Sequence, residues 1–307
     1  MTLTAPPRPH PDQSPAARPG SGRPRPGRTL THALVIALAL AIAVPVAWVL
    51  IASLKQKSEF FGSPWTLPKG LHVQNYVDAF VTAHMGQYFL TSVLVTVLGL
   101  VFVLAVSVPA AYVIARYEFR GRGLVEIAML GGLFVNVNYI VVPIFLMLVD
   151  WDRALIDVFP GGFFIDNPAV LSLVYAATSI PFTIYLLTAY FRSIPVEYEE
   201  AAALDGASRL RIMTTVMLPM ARPAVTTVIL FNFLAYWNDF IIALTLLPGE
   251  GKTLQVGLLN LFTAQKAAAD YGRLYAGLVI VIVPVLIVYA IVQRRLIEGM
   301  ASGGVKG

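Results

Sequence analysis

The sequence predicts an all-α polytopic membrane protein with six transmembrane helices. Two observations carry that expectation: long runs of uncharged apolar residues recur along the chain, and the few charges are crowded between those runs. Only 13% of the 307 residues are charged and 57% are hydrophobic, whereas a soluble domain carries about a quarter charged residues. A crossing helix needs about 20 apolar residues, and each run is long enough. Cysteine is absent, which removes disulfide frameworks and thiolate nucleophiles or metal sites. His10, His32, His72 and His84 are scattered and read as interfacial or loop residues, so no metal site is expected. The net charge of +5 bears on membrane orientation rather than on nucleic acid.

Residues 1–28 are rich in Pro, Arg, Ser and Gly and read as a disordered basic tail. The first span, 29–54, follows. It is too long and lacks the small-residue cleavage site of a signal peptide. An extramembrane loop with a short amphipathic helix leads to the second span, 88–115, which ends on Arg116. The polar link Arg116–Arg122 precedes a third span at 127–149. An aromatic and acidic loop with Pro160-Gly161-Gly162 comes next, then the fourth span, 168–191. The polar loop 192–222 leads into the fifth span, 223–247. A loop containing Gly249, Gly251 and Asp270 joins it to the sixth, 274–293, and a Gly-rich tail closes the chain.

Six crossings put both termini on one side. Fifteen Lys and Arg fall on that side and seven on the other, so the positive-inside rule places both termini and the 192–222 loop in the cytoplasm. Within that loop Pro195 suits a first helical turn, and Glu197, Glu199 and Glu200 complement the positive end of a helix dipole. Ala201, Ala202 and Ala203 favour helix, Leu204 and Asp205 continue it, and Gly206 is placed to end it in a left-handed conformation. The result is a short, smooth helix shaped to dock in another protein's groove. No GxxxxGK[ST] phosphate loop and no HExxH motif occur, so neither ATP binding by that route nor zinc chemistry is expected.

The stretch Glu200-Ala201-Ala202-x-x-Asp205-Gly206-Ala207, followed by Val216-Met217-Leu218-Pro219, resembles the signature of ABC importer permeases. More narrowly, the chain resembles the maltose-type permease subunit of carbohydrate ABC importers. That likeness is carried by Ser53-Leu54-Lys55, Pro64-Trp65-Thr66-Leu67-Pro68, Asn75-Tyr76, Ala110–Arg116, Phe119–Arg122, Trp237-Asn238-Asp239 and the ending Gln293-Arg294-Arg295-x-x-x-Gly299. It covers about residues 30–307. Thr91-Ser92 stands where relatives usually carry Asn-Ser, and Asn136–Pro143 departs from the usual third-span pattern.

The resemblance implies the type I ABC importer permease fold in a bacterial or archaeal plasma membrane. It implies no catalysis in this chain, with ATP and Mg used by a partner ATPase. Its implied partners are a homologous second permease subunit, a cytoplasmic ATPase dimer and an extracytoplasmic sugar-binding protein. It also makes residues 195–206 a coupling helix resting in an ATPase cleft, with Ala207 closing the motif.

Candidate sugar-path residues are uncharged polar and aromatic groups within the spans: Asn136, Asn138, Tyr139, Tyr185, Asn232, Tyr236, Trp237 and Asn238. Asp239 joins them because an intramembrane carboxylate is costly unless it faces water or a partner. It stands about 24 Å along the helix from Pro223. Interfacial anchoring and interhelical hydrogen bonding are the competing roles for these residues. Another ABC solute such as a polyamine, and a secondary transporter, remain alternatives. The latter would be expected to show paired repeats and broken helices.

Overall fold

The computed structural model describes residues 26–61, 63, 65–268 and 270–303, with side chains described for 30–61, 63, 65–264 and 270–293. The tail expected at 1–28 lies outside the described residues except for its last three, which are already helical. The chain divides at Trp48–Val49 into two compact units. The first contributes most of α1 (Pro26–Ala52), an apolar helix with Pro45 inside it.

In the second unit, α2 (Lys57–Phe60) and α3 (Gln74–Val77) are short. They precede α4 (Met85–Arg116), the longer partner of the central helix pair. The other partner is α7 (Pro168–Ser193), which starts with Pro168 in its first turn and with the Asn167 side chain accepting from the Ala169 amide at 2.9 Å. Both devices satisfy or remove amides that a helix start leaves unpaired. α4 and α7 run along each other and bury Val108, Ala111, Leu187 and Phe191 at one end, and Val95, Leu171 and Tyr175 further along.

The expected third span is not a single rod. It is α5 (Arg122–Leu133) and α6 (Val137–Ala154), bent by 104° at residues 134–136. Gly131 and Gly132 accept from Phe134 and Val135 in a tight closing turn, and Asn136 restarts the helix by accepting from the Asn138 amide at 3.0 Å. Gly132 also lets α5 lie on α7, because a Cβ there would stand 2.7 Å from Pro181.

Beyond α7 come α8 (Glu197–Leu204), α9 (Arg209–Arg211), a π-helical turn and α10 (Leu218–Met220). These lead to α11 (Arg222–Trp237), set at 76° to the 209–220 segment. The fifth span expected at 223–247 is therefore divided: α11 ends at Trp237 and α12 (Ile241–Leu246) begins after residues 238–240. Then follow α13 (Leu254–Ala268) and α14 (Tyr271–Gly303), which carries helix well past the expected end of the sixth span. The last four residues of the Gly-rich tail lie outside the described residues.

At the start of α14 the chain is tied to the 53–82 loop. Asn75 Nδ2 donates to the carbonyls of Ser53 (2.8 Å) and Lys55 (2.9 Å). Arg273 pairs with Asp78 at 2.8 Å, and Phe60 stacks on Tyr275. The hydrogen bond from Gln74 holds the Asp78 carboxyl below its ordinary value against the opposing effect of burial, and the Arg273 charge adds to it.

Candidate functional site: the 195–207 helix

The 195–207 segment sits where α4 and α7 end. Its hold on them begins with Glu199, in the first turn of α8. The Glu199 carboxylate turns inward, where Tyr112 donates to Oε2 at 2.8 Å and Arg116 Nε lies 2.6 Å from Oε1. That ion pair is a close charge contact without hydrogen-bond alignment. Arg116 and Glu199 side chains are only 12% and 15% exposed, so each charge depends on the other. Arg116 also donates through Nη2 to the Ile194 carbonyl, the residue that closes α7, at 2.5 Å. One arginine thus binds the end of α4, the end of α7 and the start of α8.

The far end of α8 is closed as firmly. Gly206 has φ +79°, and its amide donates to Ala203 O at 3.0 Å while the Ala207 amide reaches back to Ala202 O at 3.0 Å. This paired closure is the Schellman arrangement, which needs a left-handed residue where glycine stands. Ala202 and Ala207 pack on the core formed by Tyr112, Phe191 and Met217. Ser208 then starts α9, its side chain accepting from the Arg211 amide, and Arg209 lies 5.3 Å above the Tyr117 ring.

The outer surface of α8 is bare. Glu197, Glu200, Ala201, Ala203, Asp205 and Gly206 are exposed, and Leu204 is 90% exposed. Tyr198, Val196 and Leu210 add apolar area around it. Several large apolar side chains left exposed along one short segment point to a contact surface. Of the three acids read as a helix-start group, Glu199 alone is turned into the protein as its anchor. Tyr112 and Arg116, which make the anchor, entered the sequence reading only within the Ala110–Arg116 family stretch, with no tie to the 195–207 helix.

The candidate path residues separate into two sets. Asn232 is 2% exposed and donates to Thr183 Oγ1 at 3.0 Å. Tyr236 stacks on Tyr175 with centroids 5.1 Å apart. Trp237 donates Nε1 to the Val281 carbonyl at 3.2 Å. Asp239 Oδ2 accepts from Tyr175 Oη at 2.7 Å and from the Ala243 amide at 2.9 Å. All four are engaged between helices. Asn136, Asn138, Tyr139 and Tyr185 are exposed, as is Asn238, whose Nδ2 donates to Leu234 O at 2.8 Å. The structure does not bring the nine into one cluster.

Over residues 21–301 the chain matches the family described as binding-protein-dependent transport system inner membrane component. It is 38% identical to a diacetylchitobiose uptake system permease protein of Streptomyces coelicolor, over 89% of this chain and 87% of that one. A trehalose/maltose transport system permease protein of Thermococcus litoralis is 29% identical, over 86% of this chain and 91% of its own. The fold resembles a chain of a bacterial ABC transporter involved in import of the acidic polysaccharide alginate. The TM-score is 0.72 at 25% identity, covering 87% of this chain and 95% of that one.

Proposed function

Because the chain belongs to the binding-protein-dependent transport system inner membrane components, we propose that residues 195–207 seat a separate cytoplasmic ATPase subunit and pass its movement to the membrane helices. The chain is a multi-pass permease subunit of an ATP-driven ABC importer for sugar or oligosaccharide. It is not itself an enzyme, and ATP is hydrolysed in another subunit.

One observation carries the coupling role. α8 is gripped from inside by Arg116, Tyr112 and the Gly206 closure, and bare outside around Leu204. A push on that outer face reaches α4 and α7 through charge-assisted contacts rather than through a slack loop. The partner set completed by this reading is an ATPase dimer, a second homologous permease and an extracytoplasmic sugar-binding protein, with both termini and α8 in the cytoplasm.

Sugar contacts on this chain are assigned to the exposed group Asn136, Asn138 and Tyr139, whereas Tyr185 lines a separate hollow between α4, α5 and α7. Asn232, Tyr236, Trp237 and Asp239 hold helices together instead. Leu204→Asp tests the coupling role. The variant is expected in the membrane at normal level, with ATPase co-purification and sugar uptake both lost. Normal co-purification would remove α8 from the ATPase contact.

A further inference from the structure

A hollow of about 130 Å³ lies between α4, α5 and α7, walled by Ile114, Met129, Leu130 and Ile184. The coupling role does not use it. Thr188 lines this hollow, is 6% exposed, and its hydroxyl has no hydrogen-bond partner among the described residues. Helical threonines commonly return that proton to the carbonyl one turn back, as Thr178, Thr214 and Thr227 do in this chain. An unmet buried hydroxyl is costly, so an acceptor entering the hollow would relieve it.

Glu126 and Arg192 line the charged side of the hollow, and Arg122 stands behind Glu126, outside the lining itself. Arg122 Nε and Arg192 Nη2 both approach the same oxygen of Glu126, at 2.9 and 2.6 Å. Two guanidiniums against one carboxylate leave an excess positive charge. Each guanidinium has five N–H donors, so a second anionic acceptor fits without breaking the pair. Arg122 opens α5 and Arg192 lies in the last turn of α7, both at ends of membrane helices. Thr188 is one turn further in, about 6 Å, and Ile184 about 12 Å.

We propose that this hollow binds one anionic phospholipid of the phosphatidylglycerol type. Its phosphate lies on Arg192 and Arg122, an ester carbonyl accepts from Thr188, and the first methylenes of an acyl chain lie against Ile114, Met129 and Ile184. The order of charge, single hydroxyl and apolar wall along the helix axis matches the order of groups along such a lipid. A neutral sugar would satisfy Thr188 but not the excess charge. A zwitterionic headgroup brings a cation to a mouth that is already positive.

The test is native mass spectrometry of the assembled importer released from nanodiscs of equal phosphatidylglycerol and phosphatidylcholine. One phosphatidylglycerol per copy of this chain is expected to survive activation. Thr188→Val, which preserves shape, and Ala189→Leu, which fills the hollow, are each expected to cut its retention about ten-fold, the size of one lost hydrogen bond or more. Arg192→Gln should do the same. Equal retention of phosphatidylcholine, or unchanged phosphatidylglycerol in Thr188→Val and Ala189→Leu, would overturn the proposal. So would displacement of the lipid by a neutral oligosaccharide, which would make the hollow a sugar subsite. The readout needs no transport, so it stands apart from the coupling role of α8.

Discussion

Glu199 and Glu200 are neighbours in sequence and opposites in structure, and that contrast gives a residue-scale test. Glu199→Ala leaves Arg116 almost buried without its carboxylate. Stranding one charge of such a pair costs about 3–5 kcal/mol, so the variant should lose thermal stability and membrane abundance. Glu200→Lys changes an exposed side chain. Its melting temperature should stay near that of the parent while uptake falls, because the changed charge meets only the docked partner. Equal melting shifts in the two variants, read by a thermal-shift assay, would reject the inward–outward distinction. Gly206→Val isolates the backbone. No atom lies within 4 Å of where a Cβ would stand, so crowding contributes nothing. The cost is left-handed strain on a β-branched residue, about 1–3 kcal/mol, confined to the end of α8. The protein should remain in the membrane with uptake abolished. Full uptake would show that the turn tolerates a different closure.

At the scale of elements, two breaks separate what the sequence makes legible from what it hides. Apolar length located α4, α7 and α14, and Pro195, the acid-rich start and Gly206 placed α8 to within two residues. The 104° bend at 134–136 was hidden because composition does not encode direction. Gly131-Gly132 followed by Asn136 was its only trace, and nothing in the sequence marked Asn136 as the cap of α6. For Asp239 the sequence left water and a partner equally open for the same kind of reason: its partner, Tyr175, lies on another helix. The tie between the 53–82 loop and α14 was equally unreadable. It carries a pH dependence. Asp78 is held below its ordinary value of 3.8 by Gln74 and Arg273. Its contribution is therefore fully present above that ordinary value and is lost as pH falls through the lower folded one. Protection of the 74–82 amides, corrected for the intrinsic exchange rate at each pH, should fall on acidification below the ordinary carboxylate range, and Asp78→Asn should show the lower protection, hence faster exchange, already at neutral pH. Identical exchange in parent and variant at neutral pH would mean that Asn75 and Phe60 hold the loop without Asp78.

For the whole molecule, the question is whether the bent pair α5–α6 crosses the membrane or turns back. Composition allows either, since among the described residues four helices are long and apolar enough to cross alone and the bent pairs bring the number to six. The contacts of Arg116 decide between them. That residue closes α4, yet it binds Ile194 at the end of α7 and Glu199 at the start of α8, so α4 and α7 finish on the same side. α7, at 26 residues, is long enough to span about 30 Å of hydrocarbon. It therefore starts on the far side, and the chain must travel there between Arg116 and Pro168. Only α5 and α6 lie in that interval, so together they account for one crossing. The same geometry groups Arg116, Arg122, Arg192 and Arg209 at the α8 end. Their excess over the other face is the ground on which we propose that this end is cytoplasmic. Since the chain has no cysteine, single introduced thiols report without background. Glu118→Cys and Asp157→Cys both replace exposed side chains on either side of the bent pair. A membrane-impermeant maleimide should label Asp157→Cys in spheroplasts, and label Glu118→Cys only after the membrane is opened. Labelling of both from outside would make α5–α6 re-entrant and break the argument from Arg116. The reversed pattern would keep the crossing but turn the molecule over, putting α8 beyond reach of any cytoplasmic ATPase.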